Sequence, residues 1–464
     1  MKQKKKHPSP KLPSAKARGR FAARPRRIVA DSKRIAPEEI SRVDVRTKTY
    51  INGLRVVSER VEGASSLCVG LWVRAGSRHE SIRQHGIAHF IEHVVFKGTA
   101  GRTMREIMRS IEARGGYLNA FTTKEHTCFY TWTRTLHLDE SVSVLFDLAL
   151  RPKFSAEDIE REKSVIIEEI NGIEDEPDEM VFDLFEEEIF GRHALAHPII
   201  GTPESIQRMN RQTLSAFHRK HYRSRDIVIV ASGSHEHDAL FAAIDRAIKH
   251  APKHVSRRLL EPYRFPRRPQ SELHVPRASG QQAHLILGRR APGVRSERHL
   301  AISALITLLG VGMSSRLNLR LREELGLAYD SVAFYSPFED AGAVGLYIAT
   351  AIENRERSLR EMRRILRGLT TRPVSNAELD RAKEQMIGSV VLPMESISNR
   401  MMRAAQNELY FGEYYSVEHD IQKISNLPLE KVRDEVTRLF TDEDRYTLVS
   451  VVPEKEEEQE EEKE

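Results

Sequence analysis

Cysteine is nearly absent from this chain, with only Cys68 and Cys128 in 464 residues. Two thiols cannot build a disulfide framework. Both sit in apolar, strand-like runs, so they read as buried free thiols in a reducing compartment. Also lacking is any apolar run of the roughly 18–20 residues that a membrane span needs. The most apolar stretch, residues 301–313, is shorter, contains Gly310 and Gly312, and reads as a core helix. The N-terminus has no apolar segment of the kind a secretory signal requires. Net charge is small too, at +6, and it is unevenly placed. Residues 1–35 carry thirteen Lys/Arg against Asp31 alone, and residues 454–464 carry eight Glu against two Lys. The body between them is neutral, which argues against a nucleic-acid groove.

What remains is an ordinary globular composition, 40% hydrophobic and 30% charged, on a chain too long for one core. Residues 1–42 read as a disordered basic arm, since Pro8, Pro10, Pro13 and Pro25 interrupt it. An organellar transit peptide is the alternative. The glutamate-rich stretch 454–464 reads as an acidic tail. Asn52-Gly53 between two strand-like runs marks a hairpin. Strands are expected near 67–74 and 126–134, and helices near 86–96 and 103–114. Ser155 with Asp158 caps a long helix through about residue 173. This mixture indicates an α+β fold.

Near residues 251–272 the periodicity lapses into an Arg- and Pro-rich linker, and beyond it the chain repeats itself. The strand, Ala-Gly turn and helix ending at Gly98 recur in the segment ending at Gly310, and the Ser155-capped helix recurs after Ser375. Two homologous domains, 43–250 and 273–453, account for the length. Each is expected to be an antiparallel-rich sheet with helices packed on one face.

The segment 86–98 reads GIAHFIEHVVFKG. His89 and His93, four apart on a helix, share a face and can reach one ion. Glu92 projects to the same side, where a carboxylate can take a proton from an attacking water. Catalytic zinc takes three protein ligands and keeps one position open. A third ligand is therefore expected, and Glu162 and Glu169, two turns apart on one face of the capped helix, are the candidates. The second copy carries Ala301, Ala304 and Leu305 at the positions of His89, Glu92 and His93, and Ala382 and Ser389 at those of Glu162 and Glu169. Residues required by the fold alone would recur; these do not.

On these residues the chain resembles the pitrilysin/insulinase-type inverzincin peptidases. Within them it is most similar to the short two-domain branch that holds the processing-peptidase catalytic subunits and their bacterial relatives. The resemblance implies one zinc per chain, held by His89, His93 and Glu169, with Glu92 as general base and Glu162 as a supporting catalytic carboxylate. It implies that Asn119, on an edge strand near 117–130, pairs with an extended peptide, and that Arg322 and Tyr329 reach the substrate from the second domain. The expected activity is zinc-dependent endopeptidase action on extended or unfolded peptides, presequences among them, and the rival is a non-catalytic scaffold or substrate-binding subunit. A homodimer, or a heterodimer with a related subunit, is implied. The expected location is cytoplasmic, with the mitochondrial matrix as alternative. Residues 195–201 (LAHPIIG) depart from the family pattern by one missing glycine.

Overall fold

Strands form where β-branched and aromatic residues alternate, and the first begins at Val43. The computed structural model describes residues 43–248, 271–277, 280–442 and 445–453. The basic arm, the acidic tail and residues 249–270 of the linker region lie outside these. The first half contains β1 (Val43–Thr49), β2 (Arg55–Val61), β3 (Leu67–Val73), β4 (Tyr117–Thr122), β5 (Thr127–Thr133) and β6 (Ile227–Gly233). They form one sheet in the order β1-β2-β6-β3-β5-β4. The expected hairpin joins β1 to β2, with Gly53 in the left-handed region at φ 86°.

The second half contains β7 (Ser271–Arg277), β8 (Gln282–Pro292), β9 (Ala328–Pro337), β10 (Ala341–Ala351) and β11 (Thr447–Pro453), ordered β7-β11-β8-β10-β9. Because β7 starts at Ser271, the linker boundary moves two residues towards the N-terminus. The two sheets superimpose in topology. In each, one pair is parallel, β2 with β6 and β7 with β11, and every other pair is antiparallel. The repeat read from the sequence is therefore a repeat of architecture, and among the described residues β1 has no counterpart in the second copy.

Each sheet is packed by helices of its own half on one face. In the first, Ile87–Val95, Leu138–Leu150 and His237–Ala247 close over Val69, Leu71, Phe129, Ile229 and their neighbours. In the second, His299–Gly310 lies on β9 and Arg355–Thr371 on β10. The opposite faces are covered by exchange. Pro177–Phe190, from the first half, packs Val181 and Phe185 on the second sheet. Ile397–Phe411, from the second half, packs Met401, Ala404 and Leu409 on the first.

A glycine on the central strand lies under each exchanged helix. A Cβ on Gly70 of β3 would come within 2.5 Å of Met401 Sδ, and one on Gly288 of β8 within 2.6 Å of Phe185 Cζ. A side chain at either place would lift the helix from the sheet.

A buried charge cluster joins the halves beside the β4–β5 turn. Arg78 Nη1 lies 2.6 Å from Glu125 Oε1, and Nη2 lies 2.7 Å from Asp340 Oδ1. Glu125 also accepts from Tyr410 Oη at 3.0 Å and from the Glu339 amide at 3.0 Å.

Candidate metal centre

The motif helix, Ile87–Val95, begins at Gly86, whose φ of 83° lets the chain turn sharply into the first helical residue. Two of its free amides are satisfied from a distance. Glu80 accepts from Gly86 N at 2.8 Å and from Ala88 N at 2.9 Å, which fixes the start of the helix and hence the azimuth of His89. Burial pushes the Glu80 carboxyl up to about 8, the two amide hydrogen bonds opposing it. Gly201, from the loop that departs from the family pattern, also adopts positive φ, and a Cβ there would meet His85 O at 2.7 Å.

The Ala156–Glu174 helix crosses beside it, capped by Ser155, whose Oγ accepts from Asp158 N at 3.2 Å. This brings Glu169 to both imidazoles. Its oxygens lie 3.8 Å from His89 Nε2 and 3.6 Å from His93 Nε2. One ligand atom from each of His89, His93 and Glu169 falls within 4.8 Å of the others, the one such group among the described residues. The rings stand at 65° with centroids 4.5 Å apart.

The second nitrogen of His93 is held from behind. Nδ1 lies 3.2 Å from Glu162 Oε2, and the other Glu162 oxygen lies 2.7 Å from Lys97 Nζ. A carboxylate behind a ligating histidine fixes its tautomer and turns Nε2 towards a metal. His89 is pushed down to about 3 by burial and, secondarily, by His93, so it offers a neutral lone pair. Two imidazoles and a carboxylate form a donor set that suits zinc.

Glu92 lies in the same cleft, with Ala120, Phe121, Thr122, Ile173, Asp183, Ile199 and Ile200 completing its lining. Thr122 Oγ1, at the end of β4, donates to Glu92 Oε2 at 2.6 Å. Burial raises the Glu92 carboxyl, and the Thr122 hydrogen bond and His93 oppose that rise.

The structure thus brings together His89, Glu92, His93, Glu162 and Glu169. Asn119 is exposed on β4, the edge strand of its sheet. Its Oδ1 accepts from Ala120 N at 2.8 Å and its Nδ2 donates to Tyr117 Oη at 2.6 Å. Arg322 stands in a π-helical turn, Leu319–Glu324, and Tyr329 on β9 is 79% exposed. Neither side chain makes a hydrogen bond or ion pair among the described residues, and neither lines the cleft. The sequence reading missed Thr122, Glu80, Lys97 and Asp183. Burial raises the Asp183 carboxyl, and Lys124 opposes that shift.

The second copy lacks the constellation. Ala301, Ala304 and Leu305 on His299–Gly310 are buried among apolar neighbours.

Two histidines and a carboxylate converge on a common point with a further glutamate nearby, the side-chain set that a hydrolytic metal centre requires. Comparison with known proteins agrees and narrows the class. The profile described as Insulinase (Peptidase family M16) matches residues 55–203, and that described as Peptidase M16 inactive domain matches residues 208–386. The chain belongs to the M16 peptidase family. It is 34% identical over 392 residues to an uncharacterized zinc protease of Mycobacterium leprae, covering 83% of this chain and 86% of that one. It is 33% identical over 406 residues to one of Bacillus subtilis, covering 88% and 98%. A protease from Helicobacter pylori shares the fold at a TM-score of 0.82 and 23% identity, over 88% of this chain and all of that one. A Pseudomonas fluorescens protein described as a peptidase M16 inactive domain matches at 0.81, with 20% identity over 89% and 98%. No helix among the described residues is long and apolar enough to cross a membrane.

Proposed function

We propose that this chain is a zinc-dependent endopeptidase that cleaves extended or unfolded peptides, with one zinc held by His89, His93 and Glu169. The observation that carries the reading is the convergence of His89, His93 and Glu169 on one point, with His89, Glu169 and Glu92 lining one cleft beside the edge strand β4. Zinc, when bound, supplies Lewis-acid polarisation of the scissile carbonyl and lowers the pKa of water.

The chain's own residues do the rest. Glu162 holds the His93 ring through Nδ1. Glu92 takes the proton of the attacking water and passes it to the leaving amine, and Thr122 keeps its carboxylate aimed. The peptide adds to the free edge of β4, replacing Asn119 Oδ1 at the Ala120 amide. Arg322 and Tyr329 reach the substrate carbonyl from the second half once that half closes on a bound peptide. Asp183, lining the cleft, favours a cationic substrate side chain, as presequences would supply. The chain works as a dimer, with itself or with a related subunit, and acts in the cytoplasm; light scattering and cell fractionation check these two points.

Metal analysis paired with a quenched peptide library tests the central reading. One zinc per chain and cleavage abolished by chelator and by Glu92→Gln, with zinc retained in the variant, is the expected result. Absence of zinc from the purified protein overturns the mechanism and leaves the scaffold reading.

A further inference from the structure

The first sheet has one face only partly covered. In the antiparallel register, Tyr117 pairs with Trp132, Asn119 with Tyr130 and Phe121 with Cys128, and these six side chains share a face. Cys68, Gly70 and Trp72 continue that face onto β3. The exchanged helix Ile397–Phe411 covers the central strands there, packing Met401 and Ala404 with Trp72 and Cys128. It leaves the outer end of β4 and β5 uncovered, so that Tyr117 is 50% exposed and Trp132 46%. Lone exposed apolar residues are ordinary; a connected aromatic row is not.

This row lies on the sheet face opposite Thr122 and Glu92 and meets the cleft only at the β4 edge. Phe121 lines the candidate metal centre. Its ring stands 6.3 Å from Tyr130, and Tyr130 stands 6.0 Å from Tyr117. Trp132, opposite Tyr117, is steadied by an Nε1 hydrogen bond to Ser66 Oγ at 3.0 Å. No charged side chain lies among the six.

Among the described residues no strand pairs with the outer edge of β4. The Ala120 amide is satisfied by a side chain, Asn119 Oδ1, and so points away from β5. A strand added to that edge places alternate side chains on the aromatic face, about 6–7 Å apart.

Resting on the reading of β4 as the peptide-binding edge, we propose that Tyr117 and Trp132 form a specificity platform for large apolar or aromatic substrate side chains. These side chains lie about two to four residues from the scissile bond. The separation follows from the four-residue offset between Phe121, at the cleft edge, and Tyr117, about 13 Å at 3.3 Å per residue.

The chain has two tryptophans, and Trp72 is buried, so Trp132 reports on this surface. The Glu92→Gln protein is titrated with a tryptophan-free twelve-residue peptide bearing Leu or Phe at alternate positions. A saturable blue shift of emission is expected, and Trp132→Phe removes it. In the active background, Tyr117→Ala lowers the preference in kcat/KM for Leu over Ala at the responding substrate position by about three- to tenfold.

A peptide that the wild type cleaves without any shift in emission, or an unchanged preference, overturns the platform while leaving the peptidase reading intact. An equal or larger effect with Arg at that position overturns its apolar character. Emission that varies with protein concentration alone assigns the face to a second copy and overturns the proposal. Zinc-free, uncleaving wild type fails the peptidase reading instead, separately from any emission shift.

Discussion

The helices Ile87–Val95 and His299–Gly310 start at aligned positions in the two copies of one architecture, yet the first carries His89, Glu92 and His93 and the second has apolar residues in their places. In the first, His89 and Glu92 face a cleft, His93 stands beside them, and the neighbouring helix supplies Glu162 and Glu169. In the second, Ala301, Ala304 and Leu305 are buried and the neighbouring helix supplies Ala382 and Ser389. The difference teaches that the helix pair is a scaffold requirement and the five polar residues are not. Polar groups persist at buried positions only when something satisfies them, and in the first copy a metal and a hydrogen-bonded carboxylate pair would do so.

Grafting the motif onto the second copy breaks the comparison most severely. Ala301→His, Ala304→Glu and Leu305→His together place three polar groups in an apolar core, each unsatisfied group costing about 1–3 kcal/mol. The triple variant is expected to unfold at much lower urea concentration and to bind no second zinc, as read by denaturation and metal analysis. A folded protein with two zinc ions would show that the second copy had lost nothing but its ligands.

Separating the halves comes next. Glu125→Ala strips Arg78 of a buried partner and frees Tyr410 and the Glu339 amide. A loss of about 3–5 kcal/mol in urea denaturation is expected. If both halves keep their stability, the cluster does not couple them.

A finer test concerns Thr122, which has its sheet position but not its task in common with β9. Removal of its hydrogen bond to a carboxylate by Thr122→Val is expected to lower kcat by about 10- to 100-fold, from about 1.5–3 kcal/mol for such a bond. Zinc content should stay unchanged, and Thr122→Ser should recover most of the rate. Equal effects of Val and Ser would reduce Thr122 to a packing role.

The smallest effect is one of pH and belongs to the first half's buried histidines. Burial and Arg74 push His126 down to about 3, and burial and His237 push His235 down to about 4. Unfolded histidine takes up a proton near pH 6.5, where the folded groups stay neutral. The unfolded state therefore binds more protons below that pH, and stability falls as pH drops from about 6.5 towards 4. The slope is about 1.4 kcal/mol per pH unit for each such histidine. His235→Gln should flatten the dependence of the urea midpoint between pH 6 and 4.5; an unchanged slope would remove His235 from the account.

His89, Glu92 and His93 were legible because a helix turns their spacing into geometry within a few residues. Glu162 and Glu169 were legible from their two-turn spacing and from their loss in the repeat. The α+β class and the two sheets followed from the mix of strand and helix signals and from the recurring segment. Arg322 and Tyr329 rested on resemblance, and in this conformation both lie exposed and outside the cleft. Glu80 and Thr122 carried no signal, since their partners Gly86 and Glu92 meet them across a loop and across 30 residues of chain. The exchange of Pro177–Phe190 and Ile397–Phe411 was equally hidden. An amphipathic helix announces that it has an apolar face, not which sheet will cover it.

Local spacing thus determined the clustering of His89, Glu92 and His93, the caps and the hairpin, because a few residues of backbone geometry convert sequence directly into relative position. Tertiary structure alone decided which helix covers which sheet, which threonine steadies Glu92, and which aromatic rings stay open to solvent. Those outcomes depend on long-range packing, where many apolar surfaces are chemically interchangeable and only the assembled fold selects among them.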